Sequence, residues 1–223
     1  MNEATDPYCL SPGESAQLLA GHLWQRFVVL GDSVAEGLCE PVDGYSDLQW
    51  ADRIAAELRA VHPGLAYLNL GVSGLRARDV LASQLEPAVA FSPDLALVVG
   101  GGNDAFPATY DADRVDRELT TMITTLQDAG ADVMTLGMFD VSYSPAVVEW
   151  LRPGLRQRMR TLSDRTAALA AKLGTIHVSL TDHPLSTDPG LYSSDGRHGN
   201  ARSDAVAAAE TLRVLARHLA SVR

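Results

Sequence analysis

From Phe27 onward, short apolar runs of strand length alternate with longer segments whose apolar residues recur at helical spacing, and this limits the possible folds more than any other feature. The runs are residues 27–30, 66–70, 95–99, 133–139 and 175–180. Between them, Trp50, Ile54, Leu58 and Val61 share one helix face that Pro63 and Gly64 bring to an end, and a second helix is predicted over residues 78–90. Asp111 or Asp113 can cap a third, with Val115, Leu119, Met122, Ile123 and Leu126 on one face and Gly130 as its stop. Leu155, Met159, Leu162, Thr166 and Leu169 mark a fourth, and residues 205–219 a closing helix. Strands apolar on both faces and joined by helices imply a parallel sheet covered on each side, with right-handed crossovers. In such α/β sheets ligands bind beyond the carboxyl ends of the strands.

A chain of 223 residues, 46% of them hydrophobic, fits one such domain over residues 26–223. Residues 1–25 hold Pro7, Pro12 and Gly13 and read as a loosely attached arm followed by a brief helix. A formal net charge of −10 argues against nucleic acid or an anionic membrane surface as the main partner, because both would repel the protein. The first residues have no basic start and no apolar core of leader length, so a cytoplasmic location is expected, and no stretch has the length of a membrane span. Cys9 and Cys39 are too few for a disulfide framework and are expected to be free. His183, Asp182 and Asp188 lie close in sequence but lack a recognised ligand spacing, so no metal and no cofactor are expected.

Chemistry-bearing residues follow the strands. Gly31-Asp32-Ser33 leaves the first strand, Asn69-Leu70-Gly71 the second, and Gly101-Gly102-Asn103-Asp104 the third; Asp195-Gly196-Arg197-His198 lies beyond the fifth. Gly, Asp and Ser are also ordinary turn residues, and the first cluster alone would read as a turn. Four clusters in this order resemble the SGNH (GDSL-type) hydrolases, over a span from Phe27 to the last helix. The first block continues Val34-Ala35-Glu36-Gly37 without the Leu of the family name, which bears on the substrate more than on the chemistry. The resemblance implies a three-layer flavodoxin-like fold with a five-stranded parallel sheet in the order 2-1-3-4-5.

A serine hydroxyl needs a base to become a nucleophile, and histidine has the pKa for that task. His198 is the candidate base, and Asp195 reaches its far ring nitrogen if the loop turns tightly at Gly196. The resemblance implies a Ser33–His198–Asp195 triad, with an oxyanion hole made by the Ser33 and Gly71 backbone N–H groups and the Asn103 amide. Asp32 and Asp104 are expected to hold loops by accepting backbone N–H bonds. Arg76 and Arg78 could meet an acidic substrate group or simply be solvated at a helix start.

The expected reaction is cleavage of a small-molecule ester or thioester through an acyl-enzyme. An acyltransferase with an alcohol acceptor and a flavodoxin-like binding module are the alternatives. For the binding module, a receiver would need a Lys after the fifth strand, but the one lysine, Lys172, precedes it. The irregular stretch 140–153 carries Tyr143, Val147, Val148, Trp150 and Leu151, so Val148 and Trp150 are expected at a shallow acyl site; packing as the first turn of the following helix is the competing reading.

Overall fold

The computed structural model describes residues 1–221. Strands β1 (Arg26–Leu30), β2 (Ala66–Asn69), β3 (Leu95–Val98), β4 (Asp132–Gly137) and β5 (Ile176–Ser179) form one parallel sheet in the order β2-β1-β3-β4-β5. Phe27 of β1 stands between Tyr67 of β2 and Leu95 of β3, so the strand that leads to Ser33 is interior to the sheet.

Alternate strand residues point to opposite faces, which explains why these runs are apolar throughout. Phe27, Val29, Leu95 and Leu97 face one way and pack with Ile54 and Leu58 of α3 (Trp50–Val61) and Leu212 of α8 (Ala201–Ser221). Val28, Leu30, Ala96 and Val98 face the other way. They meet Val80 of α4 (Ala77–Ala90), Leu119 and Met122 of α6 (Ala112–Asp128), and Leu162 of α7 (Arg152–Leu173). Each large side chain buried in this way contributes about 1.5–3 kcal/mol before entropy is counted.

Local signals set the helix limits. Asp111 caps α6 by accepting the Arg114 N–H at 3.0 Å, and Gly130 follows its end with φ +96°. The one-turn helices α2 (Ser33–Glu36) and α5 (Gly102–Ala105), and the first turn of α8, are too short or too polar to give an apolar period and were not expected.

Residues 1–25 do not hang loose. They carry a short helix, α1 (Glu14–Leu18), and bury Cys9 and Leu19. Asp6 is buried and accepts the Tyr45 hydroxyl and Arg202 Nε, both at 2.8 Å, while Arg213 donates to the Tyr8 and Cys9 carbonyls. Both cysteines are free. Among the described residues, no helix is long and apolar enough to cross a membrane.

Candidate active site

Ser33 opens α2 directly beyond β1, and Asp32 caps that turn by accepting the Val34 N–H at 3.0 Å. The turn is clamped from below. Buried Gln84 of α4 accepts the Gly31 N–H at 2.8 Å and donates to the Gly31 carbonyl at 2.9 Å, so both backbone polar groups of one residue are met by one side-chain amide. The turn that carries the serine is thereby fixed by buried hydrogen bonds.

His198 Nε2 lies 2.9 Å from Ser33 Oγ, and His198 Nδ1 lies 2.5 Å from Asp195 Oδ2. Asp195 Oδ1 also accepts the Arg197 and His198 backbone N–H groups, at 2.8 and 3.0 Å. Burial pushes the Asp195 carboxyl up, but those two N–H groups and the imidazole outweigh it and hold the acid down at about 2. An ionised Asp195 fixes which ring nitrogen bears the proton, leaving Nε2 free to take the hydroxyl proton. Gly196 gives the turn its left-handed residue, φ +63°, and its carbonyl accepts the buried Ser144 hydroxyl at 2.5 Å.

A cavity of about 630 Å³ opens over Ser33 and His198. Its exposed rim carries Ser73, Gly74 and Arg197, and its inner wall is built from Trp50, Leu136, Leu180 and Ala207, all members of the main core. Phe106, Met138 and Met159 line the other side. The site is therefore deeper than the shallow one expected. Val148 and Trp150, expected to line it, do not: they are 50% and 80% exposed and lie on the outer surface. The reason is local. Residues 140–151 fold as two short 3-10 turns, of which the first buries Val141 against the cavity while the second, Glu149–Leu151, buries nothing.

Asn103 lines the cavity, with Nδ2 donating to the Leu75 carbonyl at 2.9 Å and reaching Asp32 Oδ2 at 3.3 Å. Gly71 is placed differently from expectation. Its N–H is donated to Asn69 Oδ1 at 2.9 Å, it is not on the cavity wall, and a Cβ there would stand 2.3 Å from the Glu36 nitrogen. Gly71 is needed where β2's loop crosses the backbone of α2, not at the cavity. The residue that sequence reasoning missed is Gly74, three positions on: it lines the cavity, has φ +81°, and its N–H, like that of Ser33, has no partner among the described residues. The sequence signal was the second glycine of Gly71-Val72-Ser73-Gly74, which stood unused.

Asp104, Arg78, His183 and His177 are not on the cavity wall. Asp104 Oδ2 accepts the Ala77 N–H at 2.9 Å and Oδ1 pairs with Arg114, so it ties α5 to α4. Arg78 is exposed and pairs with Asp79, whereas Arg76 lines the cavity. His183 accepts the Leu185 N–H and packs on Tyr8 and Phe139, away from Ser33, and His177 is bonded to Thr135. No group of His, Cys, Asp or Glu able to hold a metal occurs among the described residues.

Two buried acids on the cavity wall have raised pKa values. Burial pushes Asp32 and Asp204 each up to about 6, against the pull of nearby donors and cations. Asp204 sits beside the Cys39 thiol, which burial and the Asp204 charge push up to about 12, and its Oδ2 has no partner. With an unfolded value of about 3.9, Asp204 favours folding most below that pH, and the benefit is lost as pH rises through about 6. Asp204→Asn should therefore stabilise the protein at pH 8 by on the order of 2 kcal/mol and leave it nearly unchanged at pH 4. Urea unfolding of both proteins at the two pH values measures this, and a gain independent of pH would show that Asp204 is not buried in its charged form.

No curated protein sequence matches the chain. Solved structures share its fold at low sequence identity, among them the following three. LAE5, an alpha/beta hydrolase enzyme from the metagenome of Lake Arreo, Spain, is 19% identical with a TM-score of 0.69, covering 86% of this chain and 94% of its own. Axe2, an acetylxylan esterase from Geobacillus stearothermophilus, is 17% identical with a TM-score of 0.68 over the same shares, seen in a catalytic mutant. The psychrotrophic esterase EstA from Pseudoalteromonas sp., in a structure inhibited by monoethylphosphonate, is 14% identical with a TM-score of 0.67, covering 88% of this chain and 99% of its own. The GDSL-like Lipase/Acylhydrolase family model matches residues 29–206, from the middle of β1 into α8 and so across every cluster described above. On that match the protein belongs to the GDSL-like lipase/acylhydrolase family and is an esterase-type enzyme of it.

Proposed function

We propose that the protein hydrolyses small-molecule esters or thioesters through an acyl-enzyme formed on Ser33. One observation carries this reading: Ser33 Oγ, His198 and Asp195 stand in a continuous chain of short hydrogen bonds at the wall of a largely apolar cavity. As Ser33 Oγ attacks the carbonyl carbon, His198 Nε2 takes its proton, and Asp195 stabilises the imidazolium. The same proton then goes to the departing alcohol or thiol. Water, activated by His198, attacks the acyl-serine and restores the hydroxyl.

The carbonyl oxygen becomes an anion at each stage and needs donors. The uncommitted N–H groups of Ser33 and Gly74 serve, with Gly74 in the role first expected of Gly71. Asn103 supplies the third donor by giving up its long 3.3 Å contact with Asp32 while the 2.9 Å bond to Leu75 holds the amide in place. The depth of the cavity favours an acyl chain of medium length over acetate alone.

Treatment with a fluorophosphonate ester followed by peptide mass spectrometry tests the assignment. The expected result is one adduct, on Ser33, with parallel loss of hydrolysis of a 4-nitrophenyl ester series. An adduct on Ser73 or Ser194 with Ser33 unmodified would overturn it.

A further inference from the structure

The protein carries a formal charge of −10, and several of its arginines are paired with its own carboxylates. Arg53 pairs with Glu3, Arg114 with Asp104, Arg165 with Asp113 and Asp116, and Arg202 with Asp6 and Asp188. Two arginines that line the cavity are not paired in this way. Arg76, half-buried, comes two residues after Gly74; Arg197, exposed, comes immediately before His198. Both line the cavity, and neither guanidinium has a carboxylate partner among the described residues.

The carboxylates nearby are committed elsewhere. Asp195 is filled by His198 and two backbone N–H groups, Glu36 accepts the Ser73 N–H at 2.7 Å, and Asp32 accepts from Val34 and Asn103. The Arg197 head group lies over the Phe106 ring, 5.1 Å from its centroid, and Phe106 is itself part of the cavity wall. That contact holds the guanidinium at the rim rather than letting it turn into solvent. A planar, permanently charged donor fork matches a carboxylate or phosphate.

We propose that Arg76 and Arg197 form an anion-recognition pair at the cavity mouth, so that the preferred substrate is an ester whose alcohol half carries a carboxylate or a phosphate. The inference rests on the hydrolase reading above. The acyl group is retained by Ser33 against the apolar inner wall, whereas the alcohol leaves through the opening, whose rim carries Arg197 and whose lining includes Arg76. In an acidic protein these two cations also draw an anionic ester to this face over others.

The test compares kcat/KM for three acetate esters: methyl 4-acetoxybenzoate, 4-acetoxybenzoate and 4-acetoxyphenyl phosphate, each corrected for its uncatalysed rate. The expected result is an advantage of about tenfold to a hundredfold for an anionic ester over the neutral one, shrinking as salt is added. The carboxylate and phosphate arms tell the two anions apart. Arg76→Ala and Arg197→Ala should each reduce the ratio, and the double variant should bring it near one. Arg78→Ala, whose arginine is paired with Asp79 outside the cavity, should keep the wild-type ratio. A wild-type ratio near one, or a ratio retained in the double variant, would overturn the anion site while hydrolysis of the neutral ester still upholds the hydrolase reading. Failure on all three esters would overturn both.

Discussion

Ser33→Ala should lower kcat for ester hydrolysis by about 10⁴-fold to 10⁶-fold while leaving the fold as it was. The size follows from the roles proposed: without Oγ there is no acyl-enzyme, and His198 and Asp195 have no hydroxyl to activate. The intact fold follows from the hydrogen bonds. Ser33 Oγ has one partner, His198 Nε2, and the imidazole stays anchored to Asp195 when that partner is lost. The clamp between Gln84 and Gly31 is made through the backbone and does not depend on the side chain at 33. Urea unfolding should therefore change by less than about 1 kcal/mol, and circular dichroism should be unaltered. Activity above a few per cent of wild type would mean that another residue attacks the substrate.

The second large effect separates two glycines three residues apart. In Gly71→Ala the new methyl would stand 2.3 Å from the Glu36 nitrogen and 2.6 Å from the Ala35 carbonyl carbon, both backbone atoms that no rotamer change can move aside. The loop after β2 and the helix α2 must separate, at a cost of about 3 kcal/mol, and α2 opens with Ser33, so activity falls with stability. In Gly74→Ala the methyl meets open space, and the cost is the left-handed backbone at φ +81°, about 1–2 kcal/mol. There the loss should be mainly in kcat, because the N–H proposed to face the oxyanion is redirected. Urea unfolding and steady-state kinetics on both variants decide the matter. A Gly71→Ala protein with wild-type stability and depressed kcat would restore Gly71 to the oxyanion hole.

What could be read from the sequence was what local pattern records. The five strands follow from apolar runs, and the Ser33 turn and the Asp195–His198 spacing are short-range, so each could be named before any contact was known. The strand order needed the family resemblance, because alternation alone permits several orders. Gly71 and Gly74 could not be told apart locally: what requires Gly71 is the backbone of residues 35 and 36, remote in sequence. Val148 and Trp150 misled because apolar residues in a loop suggest cover for something, yet the turn at Glu149–Leu151 faces outward. The arm was misread for the opposite reason. Its prolines and Gly13 look mobile, but Asp6 is held by Tyr45 and Arg202, the latter contributed by α8.

The 165 residues that separate Ser33 from His198 have a consequence for how the protein comes into being. The serine turn, Gly74 and Asn103 all belong to β1, β2, β3 and the loops after them, the part of the chain that leaves the ribosome first. His198 and Asp195 come from beyond β5, at the opposite edge of the sheet from β2. Their loop is seated by bonds to an early segment: Ser194 donates its backbone N–H to Glu40 at 2.7 Å, and the Ala201 N–H reaches the Glu40 carbonyl at 2.9 Å. A nascent chain folded only through β3 would thus present a correctly held serine with no base, as inert as a serine in water. On the function proposed, reactivity comes late in synthesis, and no chain that stops at β5 can carry an activated serine.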